Sequence, residues 1–167
     1  MTDDPASLTV VGHDETADGF EVERWSALAA RTLADEGVER GRLDLIFVDP
    51  ADMHELNREH MGVDRPTDVL AFPLDGADHD SGTEGGSASG DPSAPVHLGD
   101  VVVCPTVARE QAADHCGAYE PELSLLVIHG VLHVLGHDHA EPEETARMQG
   151  RERHHLERLG YAHPVPA

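Results

Sequence analysis

Hydrophobic positions along the chain change period several times, and each change marks an element. At 7–14, "SLTVVGHD" is short and rich in branched residues, which predicts a first strand. At 22–36, Val22, Trp25, Leu28, Ala29 and Leu33 recur at helical spacing, and Gly37 supplies a stop. "RLDLIFVD" at 42–49 alternates and predicts a second strand. A short helix follows at 50–62, with Pro50 at its start and Gly62 past its end. "TDVLAFP" at 67–73 and "HLGDVVVCP" at 97–105 predict two more strands. Three helices close the chain. They are expected at 106–117, ended by Gly117, at 119–136, long and apolar, and at 141–160, with a polar face.

Between the last two strands lies "LDGADHDSGTEGGSASGDPSAP", residues 74–95. It holds five acids, no base and abundant Gly and Ser, and cannot bury enough apolar area to order itself. The expectation is a disordered acidic loop inside one domain spanning 1–167. The order β-α-β-α-β-β-α-α-α, without repeats, predicts an α+β class built on a small mixed sheet packed with helices.

Charge sharpens the picture. Eleven basic residues, every one Arg, stand against 33 acidic ones. Such a surface repels polyanions at long range, which argues against a nucleic-acid coat protein while permitting a nuclease with a local Arg cluster. No run of apolar residues is long enough to span a membrane, and the N-terminal stretch has neither a basic nor an apolar signal region. Cys104 and Cys116 are too few for a disulfide scaffold and are expected to be buried thiols, consistent with a cytoplasmic location.

The candidate chemistry lies in "HGVLHVLGHDH", 129–139. His129, His133, Gly136 and His139 match the spacing of the H-E-x-x-H-x-x-G-x-x-H zinc motif. Residues four apart share one face of a helix, so His129 and His133 can reach one ion. Gly136 can adopt positive φ, end the helix and turn the chain so that His139 faces the first two. His137 competes for third ligand only if the helix runs on through Gly136. Three imidazoles leave one position open, the pattern of a catalytic zinc site. Asp138 either orients a ligating imidazole, acts on water, or is a plain loop carboxylate. His154 and His155 read as solvated, and His13, His54, His97 and His115 show no partner pattern. His60 lies where it could approach the site.

The motif departs from the protease pattern at its second place, where Gly130 stands instead of the general-base Glu. Expelling an amine needs that proton shuttle. A phosphodiester is less dependent on it, since charge growing on phosphoryl oxygens can be met by a metal, and RNA supplies its own 2′-hydroxyl. Gly130 also removes a side chain beside the metal and would let a bulky substrate approach.

"HGVLHVLGHDH", together with "ELNREHMGVDRPTDVLAFP" (55–73) and "LGDVVVC" (98–104), resembles the YbeY family of bacterial endoribonucleases over about residues 40–157. The resemblance implies a zincin-like α+β domain with a zinc-bearing helix and one Zn2+ held by His129, His133 and His139. It also implies metal-dependent cleavage of single-stranded RNA, a part in maturing the 16S rRNA 3′ end, and a part in ribosome quality control. The chain differs from the family pattern in three places. Met61 stands where the family commonly has an Arg directed at phosphate, so Arg58 or Arg65 is the expected substitute. Ala71 replaces a common Ser, and His137 a common aromatic. Two other readings remain: a non-catalytic ribosome-assembly factor with a structural metal, and a metallohydrolase acting on peptides or small molecules. The acidic surface makes a ribosomal or small-subunit protein, or a GTPase, a fitting partner.

Overall fold

A computed structural model describes residues 7–62, 67–74, 96–137 and 140–165. The described strands are β1 (Leu8–Glu15), β2 (Gly41–Val48), β3 (Val69–Pro73) and β4 (His97–Val103). The helices are α1 (Val22–Asp35), α2 (Pro50–Met61), α3 (Pro105–Gln111), α4 (Tyr119–Val134) and α5 (Pro142–Arg158). The chain order of elements is the expected one. Of the expected acidic loop at 74–95, all but its first residue lies outside the described residues.

The strands form one mixed sheet in the order β1-β2-β4-β3. β1 pairs with β2 and β2 with β4 in parallel, while β3 joins β4 antiparallel. The α1 crossover between β1 and β2 is what parallel pairing requires. Strand alternation divides the apolar residues between two faces. Leu43, Leu45 and Phe47 of β2, with Val101 and Val103 of β4, pack against Trp25, Ala29 and Leu33 of α1 and Leu123, Val127 and Val131 of α4. On the opposite face Val48, Leu70 and Val102 meet Met53 of α2.

α4 is clad on two sides. Its second apolar flank, Leu125, Ile128 and Leu132, packs on Met148 and Leu156 of α5. Each fully buried aliphatic side chain of this kind contributes roughly 1.5–3 kcal/mol, so α4 is the most firmly anchored helix. The remaining strip of α4 carries Glu122, His129 and His133, and this strip borders the site.

α3 is shorter than expected. It gives way to a 3-10 turn, Ala112–Asp114, before the residues expected to complete it. The reason is Glu122, fully buried on α4. His115 Nδ1 meets its carboxylate at 2.8 Å and the Cys116 backbone N–H donates to it at 3.3 Å. Satisfying that buried charge takes His115 and Cys116 out of helical geometry.

Candidate metal centre

α4 ends where the sequence predicts. Gly136 has φ of 101°. Its N–H donates to the His133 carbonyl, and the His137 N–H donates to the Leu132 carbonyl. This paired closure is the Schellman motif, which a left-handed glycine permits. The turn takes His137 off the helix face that holds His129 and His133. Its Nε2 lies 3.8 Å from Glu36, at the C-terminal end of α1.

His129 and His133 do share one face, with ring centroids 4.6 Å apart and planes crossed at 77°. Two imidazoles on one zinc, at ~2.0–2.1 Å from each nitrogen, have ring centres about 5 Å apart. His129 Nδ1 contacts Glu152 Oε2 of α5 at 2.5 Å. A carboxylate only accepts, so Nδ1 carries the proton, and Nε2 is the nitrogen that can face a metal. The donor set therefore fits zinc. His139, the expected third ligand, and Asp138 lie outside the described residues, as does Arg65. Arg58 is exposed on α2 and pairs with Glu55 at 3.1 Å.

Two depressions meet at His129. A cleft of about 370 Å³ is bordered by Asp68, His115, His129, Glu152 and His163, with Leu126 and Met148 among its apolar walls. A second, of about 390 Å³, runs between His129, His133 and Gly130 on one side and Met61, Val69 and Ala71 on the other. Asp68 borders both. Its carboxylate and that of Glu122 accept from the same Gln111 amide nitrogen, at 2.8 and 2.7 Å.

Glu152 was not visible in the sequence as a site residue. Burial raises its pKa, but hydrogen bonds from His129 and His163 outweigh that and hold the carboxyl below its usual range. The one available signal was a carboxylate set between Met148 and Leu156 on the apolar stripe of α5. His163, whose Nε2 lies 2.8 Å from Glu152 Oε1, was likewise missed.

The structure corrects several histidine expectations. His155 is buried, not solvated, with Nε2 2.6 Å from Glu36, because α5 docks against the end of α1. Burial lowers its pKa, against the opposing pull of Glu36. His154 is exposed, as expected. His13 and His97 both reach Asp44 on β2, at 3.1 and 2.8 Å, and His97 also reaches Asp100. His115 pairs with Glu122. Strand pairing and helix docking create these contacts between residues remote in sequence. His60 packs edge-on against Phe72 on the far side of β3.

Among the described residues, three groups place one ligand atom each within 4.8 Å of one another: Asp35, His154 and His155; His115, Cys116 and Glu122; and Asp44, His97 and Asp100. The second borders the cleft. Cys116 is poorly suited to ligation because burial, with Glu122 beside it, pushes its thiol up to about 12.

Gly130 lines the groove, and it has a packing role that the sequence did not show. A Cβ there would stand 2.4 Å from Val101 Cγ1 and 3.3 Å from Val69 Cγ2. Glycine at this position lets α4 lie close on the sheet.

A four-stranded mixed sheet crossed by a histidine-bearing helix, with a carboxylate behind one imidazole, defines an α+β domain with a candidate metal centre in a cleft. Comparison with known proteins agrees. The family model described as Endoribonuclease YbeY matches residues 12–160. The chain is 43% identical over 136 residues to Endoribonuclease YbeY of Salinispora tropica, covering 81% of this chain and 85% of that one. It is 42% identical over 139 residues to the Frankia casuarinae protein of the same name, covering 83% and 67%. The solution structure of TM1509 from Thermotoga maritima is similar at a TM-score of 0.61 and 28% identity, over 90% of this chain and 89% of that one. The chain belongs to the YbeY family of endoribonucleases, metal-dependent RNA hydrolases. No helix among the described residues is long and apolar enough to cross a membrane.

Proposed function

We propose that this chain is a zinc-dependent, single-strand-specific endoribonuclease of the cytoplasm that acts on rRNA, in maturation of the 16S 3′ end and in ribosome quality control. The observation that carries this reading is the His129–His133 pair on the cleft side of α4, with His129 held from behind by Glu152. The histidine helix ending in a glycine turn supports a zincin-like arrangement, with His129, His133 and His139 holding one zinc ion. When bound, zinc would lower the pKa of water and offset charge on the scissile phosphate.

The chain's own residues supply position and selectivity. The groove between α4 and β3 gives an extended strand a path past the two imidazoles. Arg58 or Arg65 holds a phosphate, standing in for the family Arg at the Met61 place. Asp138 orients a ligand or takes a proton from water. Charge repulsion makes unaided capture of RNA slow, so a ribosomal or small-subunit protein, or a GTPase, brings the substrate.

The test is cleavage of a single-stranded RNA by the purified protein, with and without chelator, beside the His133→Ala variant. Cleavage lost in both is expected; equal cutting by His133→Ala overturns the reading. One observation favours a second reading, an assembly factor with a structural metal: Met61 stands 51% exposed at the groove, where the family's cation would be. Zinc retained without RNA cleavage would support it.

A further inference from the structure

The tail after α5 folds back onto the carboxylate that braces His129. Both oxygens of Glu152 are engaged, Oε2 by His129 Nδ1 at 2.5 Å and Oε1 by His163 Nε2 at 2.8 Å. The His163 side chain is 3% exposed and that of Glu152 6%. Val165 meets His163 Nδ1 with both backbone groups, its N–H at 3.0 Å and its carbonyl oxygen at 3.3 Å. The shorter contact has the N–H donating, so Nδ1 accepts and the proton on Nε2 is directed at Glu152. Arg153 of α5 holds the same turn through the Val165 carbonyl at 2.9 Å. His163, Pro164 and Val165 also form part of the cleft wall beside His129.

We infer that Glu152 and His163 are positioning residues of the metal centre, and that the C-terminal segment 161–165 is a working part of it. Glu152 fixes the tautomer and plane of His129 and makes its Nε2 a more basic donor. His163 keeps the carboxylate from rotating away. A ligating imidazole left without such a partner loses orientation and electron density together, which typically weakens metal binding 10–100-fold. The inference rests on the metal assignment made under Proposed function.

The experiment is zinc affinity, measured by competition with a fluorescent chelator on the full chain. Thermal melting of each metal-free variant reports folding separately. His129→Ala should lose high-affinity binding. Glu152→Gln keeps an acceptor but removes the charge, and should weaken binding about tenfold or more. His163→Ala should weaken it less, and His163→Gln, which retains an N–H donor, should restore part of the loss. Cobalt loaded in place of zinc should show an altered visible spectrum in Glu152→Gln, a change that packing alone would not cause. Should Glu152→Gln fail to fold, the two His163 variants carry the test. Parental affinity in Glu152→Gln or His163→Ala, beside a loss in His129→Ala, overturns this inference alone. Parental affinity in His129→Ala overturns the metal assignment and this inference with it.

Discussion

Gly130→Ala adds one methyl group at the point where α4 lies on the sheet. That methyl would be 2.4 Å from Val101 Cγ1, and Val101 is itself fully buried on a central strand. A branched side chain pinned between β2 and α4 cannot yield cheaply, so either the helix lifts or the strand shifts. Overpacking of a core typically costs roughly 1–3 kcal/mol, and a contact this short belongs at the upper end. Alanine returns ~1 kcal/mol of helix propensity. The net expectation is a loss of about 2 kcal/mol, or ~4–8 °C in melting temperature for a chain of this size. Calorimetry in excess chelator measures it without stabilisation from bound metal. Val101→Ala removes the colliding methyls, so the double variant should be more stable than the two single losses sum to, by ~1 kcal/mol or more. A Gly130→Ala protein that melts with or above the parent, or strictly additive effects, would show that close packing is not why glycine stands there.

Replacing Gln111 with Leu deprives two carboxylates of one donor, and Glu122 is fully buried; urea unfolding should show a loss of about 1–3 kcal/mol. Metal-free stability should fall with acid in two stages. Burial depresses the pKa of His155 below its usual 6.5, so below that pH the unfolded chain takes up a proton that the folded one resists. The Glu36 carboxyl, raised by burial but pulled lower overall by Arg151 and His155, adds a second loss below about 4.5 as the unfolded chain protonates first. A melting temperature that rises between neutral pH and the His range would contradict the sign. If Arg58 or Arg65 holds a phosphate, its Ala variant should cut RNA less efficiently and lower the salt dependence of RNA binding by about one charge; an unchanged salt slope in both variants removes them from the phosphate site.

Elements with their own periodicity were legible in the sequence. β2 and β4 carry alternating or branched apolar runs, and Gly136 announces the end of α4, so these were read to within a residue or two. The His129–His133 pairing was legible because four-residue spacing on a helix fixes a shared face. What remained hidden depends on docking. His155 looks solvated on a polar helix until α5 settles against Glu36. Glu152 becomes a site residue only because α5 lies along α4 and brings it to His129, 23 positions earlier. Gly130 read as a missing base, whereas its meaning is set by Val101 across the helix–sheet interface. α3 was overestimated for a related reason, since the buried charge that unwinds its end sits on the following helix.

The double cladding of α4 has a kinetic side. With the sheet on one flank and α5 on the other, its backbone amides near Val127 and Val131 should exchange with solvent only through opening of the whole domain. Two of the three expected ligands thus ride on the slowest-opening part of the molecule. A bound ion would then exchange by opening of the tail at His163, with α4 itself still folded.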